Sequence, residues 1–308
     1  ALEEIWKSYG QICSKRLHPF MAEGIQILER CGELDVTPEI KQLLLSMSRA
    51  TIDRCLKRAR RRKPQRGLST TKPGSLLKKA IPVQIFTPWE DERTGFMEVD
   101  LVAHCGLTTV GTYLNTLTAT DIATGWTEIL AVANKTQAAV SAAIEQLRYQ
   151  MPFPLLGIDS DNGGEFINGT LLRYCQEHRI TFTRSRPYKK NDQAHVEQKN
   201  WSVVRNTIGY DRMESGEELA ILKAVYDDLR LYINFFQPSV KLIGKEWVHG
   251  KPRKKHDDAR TPFRRVLADP DIAVEQKGHL MSMYMTLNPV KLGASIDRQV
   301  AELWDFNR

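Results

Sequence analysis

Leu155-Leu156-Gly157-Ile158 is a short apolar run that passes straight into Asp159-Ser160-Asp161, and Asn162-Gly163-Gly164 then turns the chain. Such a run predicts a strand ending in a carboxylate, and open α/β sheets build their sites beyond the carboxyl ends of strands. Asp159 and Asp161 compete for that role, because strand alternation puts both on one face. Glu165, directly after the turn, reads as a residue that orders it. Two further acids stand in comparable settings: Asp100, inside Phe96-Met97-Glu98-Val99-Asp100-Leu101-Val102-Ala103, and Glu197, inside Gln193-Ala194-His195-Val196-Glu197. Three acids from separate elements can hold a pair of divalent cations, and such a pair works on phosphodiesters.

The surrounding periodicity predicts the sheet that would carry these acids. Residues 96–103, 112–121 and 126–132 alternate and are rich in β-branched and aromatic side chains, with Ala123-Thr124-Gly125 as a turn, so an antiparallel meander is expected. Asp121 reads as a turn residue of that meander and not as a ligand. Thr136 caps a helix with Val140, Ile144 and Leu147 inward; a strand at 155–161, a helix at 169–178, a strand at 180–183 and a helix from about Gln193 follow. On that last helix Trp201, Val204 and Ile208 are expected in the core, and His195, Lys199 and Asn200 toward substrate. The order βββ-α-β-α-β-α describes an α/β fold: a ribonuclease-H-like mixed sheet with helices on its faces.

Upstream, apolar spacing predicts helices around Ile5 to Tyr9 and Phe20 to Leu28. Thr37-Pro38-Glu39 then opens another through Ile40, Leu43, Leu44 and Leu45. A break at Ser46-Met47-Ser48 leads into a basic helix over residues 49–60, the pattern of a helix-turn-helix. A plain helical hairpin with a solvated face would share that spacing. The run Arg60-Arg61-Arg62-Lys63 favours a polyanionic partner, since such density is costly unless phosphates neutralise it. Arg49, Thr51, Arg54, Lys57, Arg58, Arg61 and Arg62 are the DNA-binding candidates here. Residues 64–93, punctuated by Pro64, Gly67, Pro73, Gly74 and Pro82, read as a basic linker.

Composition sets outer limits. Lys and Arg number 44 against 37 Asp and Glu among 308 residues, and the 42% hydrophobic share is that of a globular protein. The cysteines, Cys13, Cys31, Cys55, Cys105 and Cys175, are odd in number with no Cys-x-x-Cys pair, so a reducing compartment is expected and neither a disulfide framework nor a zinc cluster. No apolar run approaches the roughly 18 residues of a membrane span, and no signal peptide is evident. Ala1 already stands in helical pattern, as if residues upstream were absent. Composition alone predicts a soluble intracellular protein.

Thirty-five residues separate Asp161 from Glu197. With Asp-Asn-Gly-x-Glu-Phe at 161–166, this spacing resembles the D,D-35-E catalytic core of retroviral integrases and insertion-sequence transposases. Glu98-Val99-Asp100-Leu101-Val102-Ala103-His104, Asp121-Ile122-Ala123-Thr124-Gly125-Trp126 and Arg186-Pro187-Tyr188-Lys189-Lys190-Asn191-Asp192-Gln193-Ala194-His195-Val196-Glu197 resemble the bacterial insertion-sequence branch more closely. The resemblance is strong over about residues 95–240. It implies that Asp100, Asp161 and Glu197 are both catalytic residues and metal ligands, holding two Mg²⁺ ions with Mn²⁺ as a substitute, and it chooses Asp161 over Asp159. It also implies a polynucleotidyl transferase that cleaves DNA at element ends and joins the 3′-OH to target DNA. The partners implied are DNA, as terminal inverted repeats and target, and further copies of the chain in at least a dimer, with no membrane. The location implied is cytoplasmic, in a bacterium, at the nucleoid. The loop 184–191 precedes the last acid, and its Arg186, Tyr188, Lys189 and Lys190 join His195 and Lys199 as DNA-contact candidates. The alternatives are a metal-dependent nuclease of the same fold and an inactive DNA-binding relic.

Past the core, residues 217–236 predict a long amphipathic helix, 241–260 an exposed basic loop, and Thr261-Pro262 the start of three short helices. The expected domains are therefore 1–63, helix-turn-helix; 64–93, linker; 94–240, catalytic core; and 241–308, a mainly helical C-terminal region.

Overall fold

The computed structural model describes residues 1–60, 93–185, 193–248 and 251–306. Its first helices are α1 (Leu2–Ser8), α2 (Ser14–Arg30), α3 (Pro38–Ser46) and α4 (Arg49–Leu56). The last two begin where capping chemistry says they should. Thr37 accepts from the Ile40 N–H ahead of Pro38, and Ser48 accepts from the Thr51 N–H. Helix α4 lays Ile52 and Leu56 inward, and Ser14 Oγ, at the start of α2, donates to Asp53 at 2.6 Å. It ends at Leu56, short of the expected residue 60, and Arg60 turns back to pair with Asp53. Most of the linker at 64–93 lies outside the described residues.

The central sheet holds β1 (Phe96–Ala103), β2 (Asn115–Asp121), β3 (Thr127–Val132), β4 (Gly157–Ser160) and β5 (Thr181–Arg184), in the order β3-β2-β1-β4-β5. The first three form the expected meander, while β1–β4 and β4–β5 are parallel pairs reached through α5 (Gln137–Gln150) and α6 (Gly169–Glu177). This is the ribonuclease-H-like arrangement. Every residue of β2 is buried, so the sheet is covered on both faces. Asp121 holds the β2–β3 turn as expected, accepting from the N–H groups of Gly95 and Thr124 and from the Thr124 hydroxyl.

Residues 194–208 continue as α7 (Ala194–Lys199), a π-helical turn (Asn200–Arg205) and α8 (Asn206–Ile208). The π turn explains a departure from expectation. Val204 and Ile208 are buried, but Trp201 is 60% exposed, because the wider turn breaks the 3.6-residue period that would have aligned it with them. Helix α9 (Gly216–Phe236) starts in a reciprocal capping box between Ser215 and Glu218. It is bound to β3 by a buried ion pair, Arg230 to Glu128, whose carboxylate also accepts from the Trp126 indole at 2.7 Å.

The expected loop at 241–260 is instead a β-hairpin, β6 (Leu242–Val248) and β7 (Lys251–His256). It is followed by α10 (Pro262–Ala268), α11 (Val274–Thr286) and α12 (Pro289–Asp305), the last two longer than expected. Packing crosses the expected domain boundaries. Helix α12 runs along α9, Tyr232 on α9 donates to Ser8 O, and Gln237 donates to Tyr9 O at 2.7 Å. One apolar cluster extends from Ile5 to Leu303. All five cysteines are free, and among the described residues no helix is long and apolar enough to cross a membrane.

Inside this core His104 is fully buried, its Nε2 paired with Thr116 Oγ1 at 2.7 Å and its Nδ1 without a hydrogen-bond partner among the described residues. Burial, then the Arg205 charge, pushes its pKa down to about 3. The unfolded chain binds a proton below the ordinary histidine pKa of about 6.5 and the folded chain does not, so this contribution is complete above that pH and lost as pH falls. Acidification from pH 7 to 5 is expected to cost about 2 kcal/mol through His104 alone. Urea titrations at the two pH values check this: the stability difference should shrink by that amount in His104→Gln.

Candidate active site

Strand β1 is central, antiparallel to β2 on one side and parallel to β4 on the other. Glu98, Asp100 and Val102 share one of its faces by alternation. The parallel register sets Glu98 beside Asp159, and its continuation sets Asp100 beside Asp161, just past the end of β4. Four acids thus form two rungs on neighbouring strands. The inner rung is closed, with Glu98 4% and Asp159 0% exposed. The outer rung opens toward solvent, with both members half-buried.

The outer acids are individually fixed. Asp100 Oδ1 accepts from the Leu101 N–H, and its Oδ2 accepts from Asn200 Nδ2 at 2.7 Å. Asn200, expected toward substrate, holds a strand acid. Asp161 Oδ1 accepts from the Gly163 N–H at 2.8 Å, so the acid orders its own turn, a role expected of Glu165. A Cβ at residue 163 would stand 2.8 Å from that oxygen and 2.7 Å from Glu165 Cδ, so a larger residue there would displace one or both carboxylates. Asn162 secures the turn to the end of β5, donating to Ser185 O and accepting from Arg184 Nη1.

Helix α7 lies on this face. Glu98 Oε2 accepts from the backbone N–H groups of His195 and Val196, both at 2.9 Å, and so caps the first turn of the helix that carries Glu197. Asp159 accepts from the Thr183 hydroxyl, and Gln193 approaches its carbonyl. Glu98 was missed as a site residue, although its place two residues before Asp100 on a strand was signal enough to put it on the same face.

The acids oppose one another's ionisation. Burial, then Asp161, pushes Asp100 up to about 7, with Glu197 adding to the effect. Burial raises Asp161 to about 6 against the Gly163 N–H. Burial raises Glu98 to about 8, with the α7 N–H groups opposing and Asp159 and Glu197 reinforcing. Glu197 is exposed on the first turn of α7, near enough for its charge to act on both β1 acids. Crowded hard-oxygen donors of this kind suit a divalent cation in chemistry and in charge. In placement the fit is incomplete: among the described residues no three His, Cys, Asp or Glu side chains stand together closely enough to hold an ion. Asp100 and Asp161 adjoin, and Glu197 would have to swing inward.

Of the expected DNA contacts, Arg49, Arg54, Lys57 and Arg58 are exposed on and just past α4, and Thr51 bonds Ser48 and Arg54. Lys199 is half-buried, and burial followed by the Arg16 and Arg265 charges brings its pKa down to about 8. The His195 ring keeps exposed area, yet its packed surroundings, then Lys241 and Lys199, hold its pKa below the ordinary value. Arg61, Arg62, Arg186, Tyr188, Lys189 and Lys190 lie outside the described residues.

Comparison with known proteins places this face in context. Residues 90–190 match the model of the integrase core domain. The uncharacterized protein y4rM of Sinorhizobium fredii is 41% identical over 267 residues, covering 86% of this chain and 76% of that protein. Among solved structures, the catalytic core domain of BIV integrase aligns with a TM-score of 0.34 at 19% identity, over 46% of this chain and 84% of that one.

Proposed function

We propose a finer reading of a chain that belongs to the family of integrase-like DDE transposases: it cleaves DNA at the ends of a mobile element and joins the freed 3′-OH to target DNA. The coarser class, an integrase and transposase-type polynucleotidyl transferase, follows from the core domain that the chain carries. The observation that supports the finer reading is the outer rung: Asp100 and Asp161 side by side on parallel strands, under a helix that brings Glu197 to the same edge.

In this reading Asp100 and Asp161, with Glu197 turned in from α7, would hold the divalent cations. Bound there, two Mg²⁺ ions, or Mn²⁺ in their place, supply activation of the attacking oxygen and neutralisation of charge at the phosphate. The chain's own residues supply position. Asn200 sets the rotation of the Asp100 carboxylate, the Gly163 N–H sets that of Asp161, and Glu98 fixes the height of α7 against β1. Arg184 and Asn162 hold the turn beneath Asp161. Helices α3 and α4 act as the helix-turn-helix that reads the element's terminal repeats, with Arg49, Arg54, Lys57 and Arg58 toward the phosphates. Two ends are joined in one event, so the working form is at least a dimer.

The test is incubation of the full chain with Mg²⁺ and a labelled duplex carrying the element's terminal repeats. Strand-joined products are expected. Cleavage without joining would make the chain a nuclease of the same fold. A mobility shift without products, with or without metal, would reduce it to a DNA-binding protein.

A further inference from the structure

The β6–β7 hairpin has no part in the site just described. Its root is fastened to the core. Asp257 Oδ1 accepts from the Lys241 N–H, Asp257 Oδ2 pairs with Arg265 on α10, Arg265 also donates to Ser239 O, and Lys241 Nζ donates to Ala123 O in the β2–β3 turn. Beyond that root the hairpin is a separate two-stranded sheet. Trp247 is 74% exposed, Leu242 and Ile243 are exposed as well, and so are Arg253 and Lys255. Alternation puts Trp247 on one face and Arg253 and Lys255 on the other, so both faces meet solvent. A ribbon of two strands is marginal alone in water, and large exposed apolar side chains on it mark a contact surface.

Its chemistry selects the partner. Residues 241–255 contain Lys241, Lys245, Lys251, Arg253, Lys254 and Lys255 against the single acid Glu246. A protein partner would be met by an apolar patch within a mixed-charge rim. An excess of one sign with an exposed indole instead fits phosphates and the apolar sugar and base-edge surface between them, and a two-stranded ribbon has the width of the DNA major groove.

We propose that the 242–256 hairpin is a DNA-gripping ribbon, with Arg253 and Lys255 on the phosphates and Trp247 against bases or sugars. The inference rests on the chain acting on DNA, as proposed above, and its test does not require catalysis. The full chain, free of metal, is titrated against a fluorescent generic duplex across a series of KCl concentrations. Arg253→Glu combined with Lys255→Glu is expected to weaken binding at least about tenfold and to flatten the log–log salt dependence by about 2, near 0.9 for each phosphate no longer neutralised. Trp247→Ala removes an apolar contact with sugars and base edges, and is expected to weaken binding by about tenfold and leave that slope unchanged. Arg253→Gln with Lys255→Gln repeats the test without added repulsion should the charge-reversed form melt early. Unchanged affinity and slope in folded variants would overturn the inference. So would unchanged DNA binding with a change in sedimentation, which would make the ribbon an interface between copies of the chain. Failure of joining in the wild-type chain would bear on the transposase reading alone, because binding is read without metal.

Discussion

Asp161→Asn is expected to abolish both cleavage and joining, with a loss of at least about a thousandfold, or ~4 kcal/mol of transition-state stabilisation. The amide keeps the oxygen that accepts from the Gly163 N–H, so the turn survives and only the charge is lost. Metal-free DNA affinity should therefore stay at the wild-type value, which separates a catalytic role from a structural one. Stability gives a second readout. Burial raises the folded pKa of Asp161 to about 6, so the ionised side chain costs the fold stability. That cost grows as pH rises through the folded pKa, is complete above it, and is absent below the unfolded value of about 3.9. At pH 8 and without metal the variant should melt no lower than the wild type. Added Mg²⁺ should raise the wild-type melting temperature and leave that of the variant nearly unchanged. Persistent joining in the variant would remove Asp161 from the mechanism, and a large drop in its metal-free melting temperature would make its role structural.

The strands and helices that build this site were legible because their signals are local. Alternation marked β1, β2 and β3, and side-chain caps at Thr37, Ser48 and Thr136 start α3, α4 and α5 at the expected places. The outer acids were legible for a related reason, since a turn directly after a strand puts Asp161 at a sheet end. Features set by distant contacts were not. Glu98 differs from any strand glutamate only in what it accepts from, two N–H groups about a hundred positions away. Asp159 and Asp161 share a face, and depth separates them: one is sealed under Gln193 and Thr183 and the other reaches the opening. Trp201 left the core because a π turn has no signature in apolar spacing. The hairpin escaped notice for the opposite reason. Neither of its faces is buried, so no hydrophobic period of two was written into it.

Removing the acceptor at Glu98 is the other change from which a large effect is expected. In Glu98→Leu the side chain still fills the space between β1 and α7, but the N–H groups of His195 and Val196 lose their shared acceptor in a buried setting. Each stranded donor costs about 1–3 kcal/mol, and the first turn of α7 relieves that cost by moving toward water. Glu197 lies on the same turn and Asn200 one turn further on, where it holds Asp100, so the displacement reaches two of the three proposed metal ligands. A shift of about 1 Å at reacting groups is enough for roughly a hundredfold loss of rate, and that is the loss in joining expected for Glu98→Leu, with DNA affinity retained and a higher Mg²⁺ requirement. Glu98→Gln separates positioning from chemistry. Burial pushes the Glu98 carboxyl up to about 8, which favours the neutral acid, and the amide oxygen of glutamine can accept the same two hydrogen bonds. The Gln variant should therefore recover most of the activity that the Leu variant loses, with the wild-type Mg²⁺ dependence. Were Glu98 itself a metal ligand or a proton carrier, Gln would fail as completely as Leu, and the rate and metal-dependence curves of the two variants would coincide.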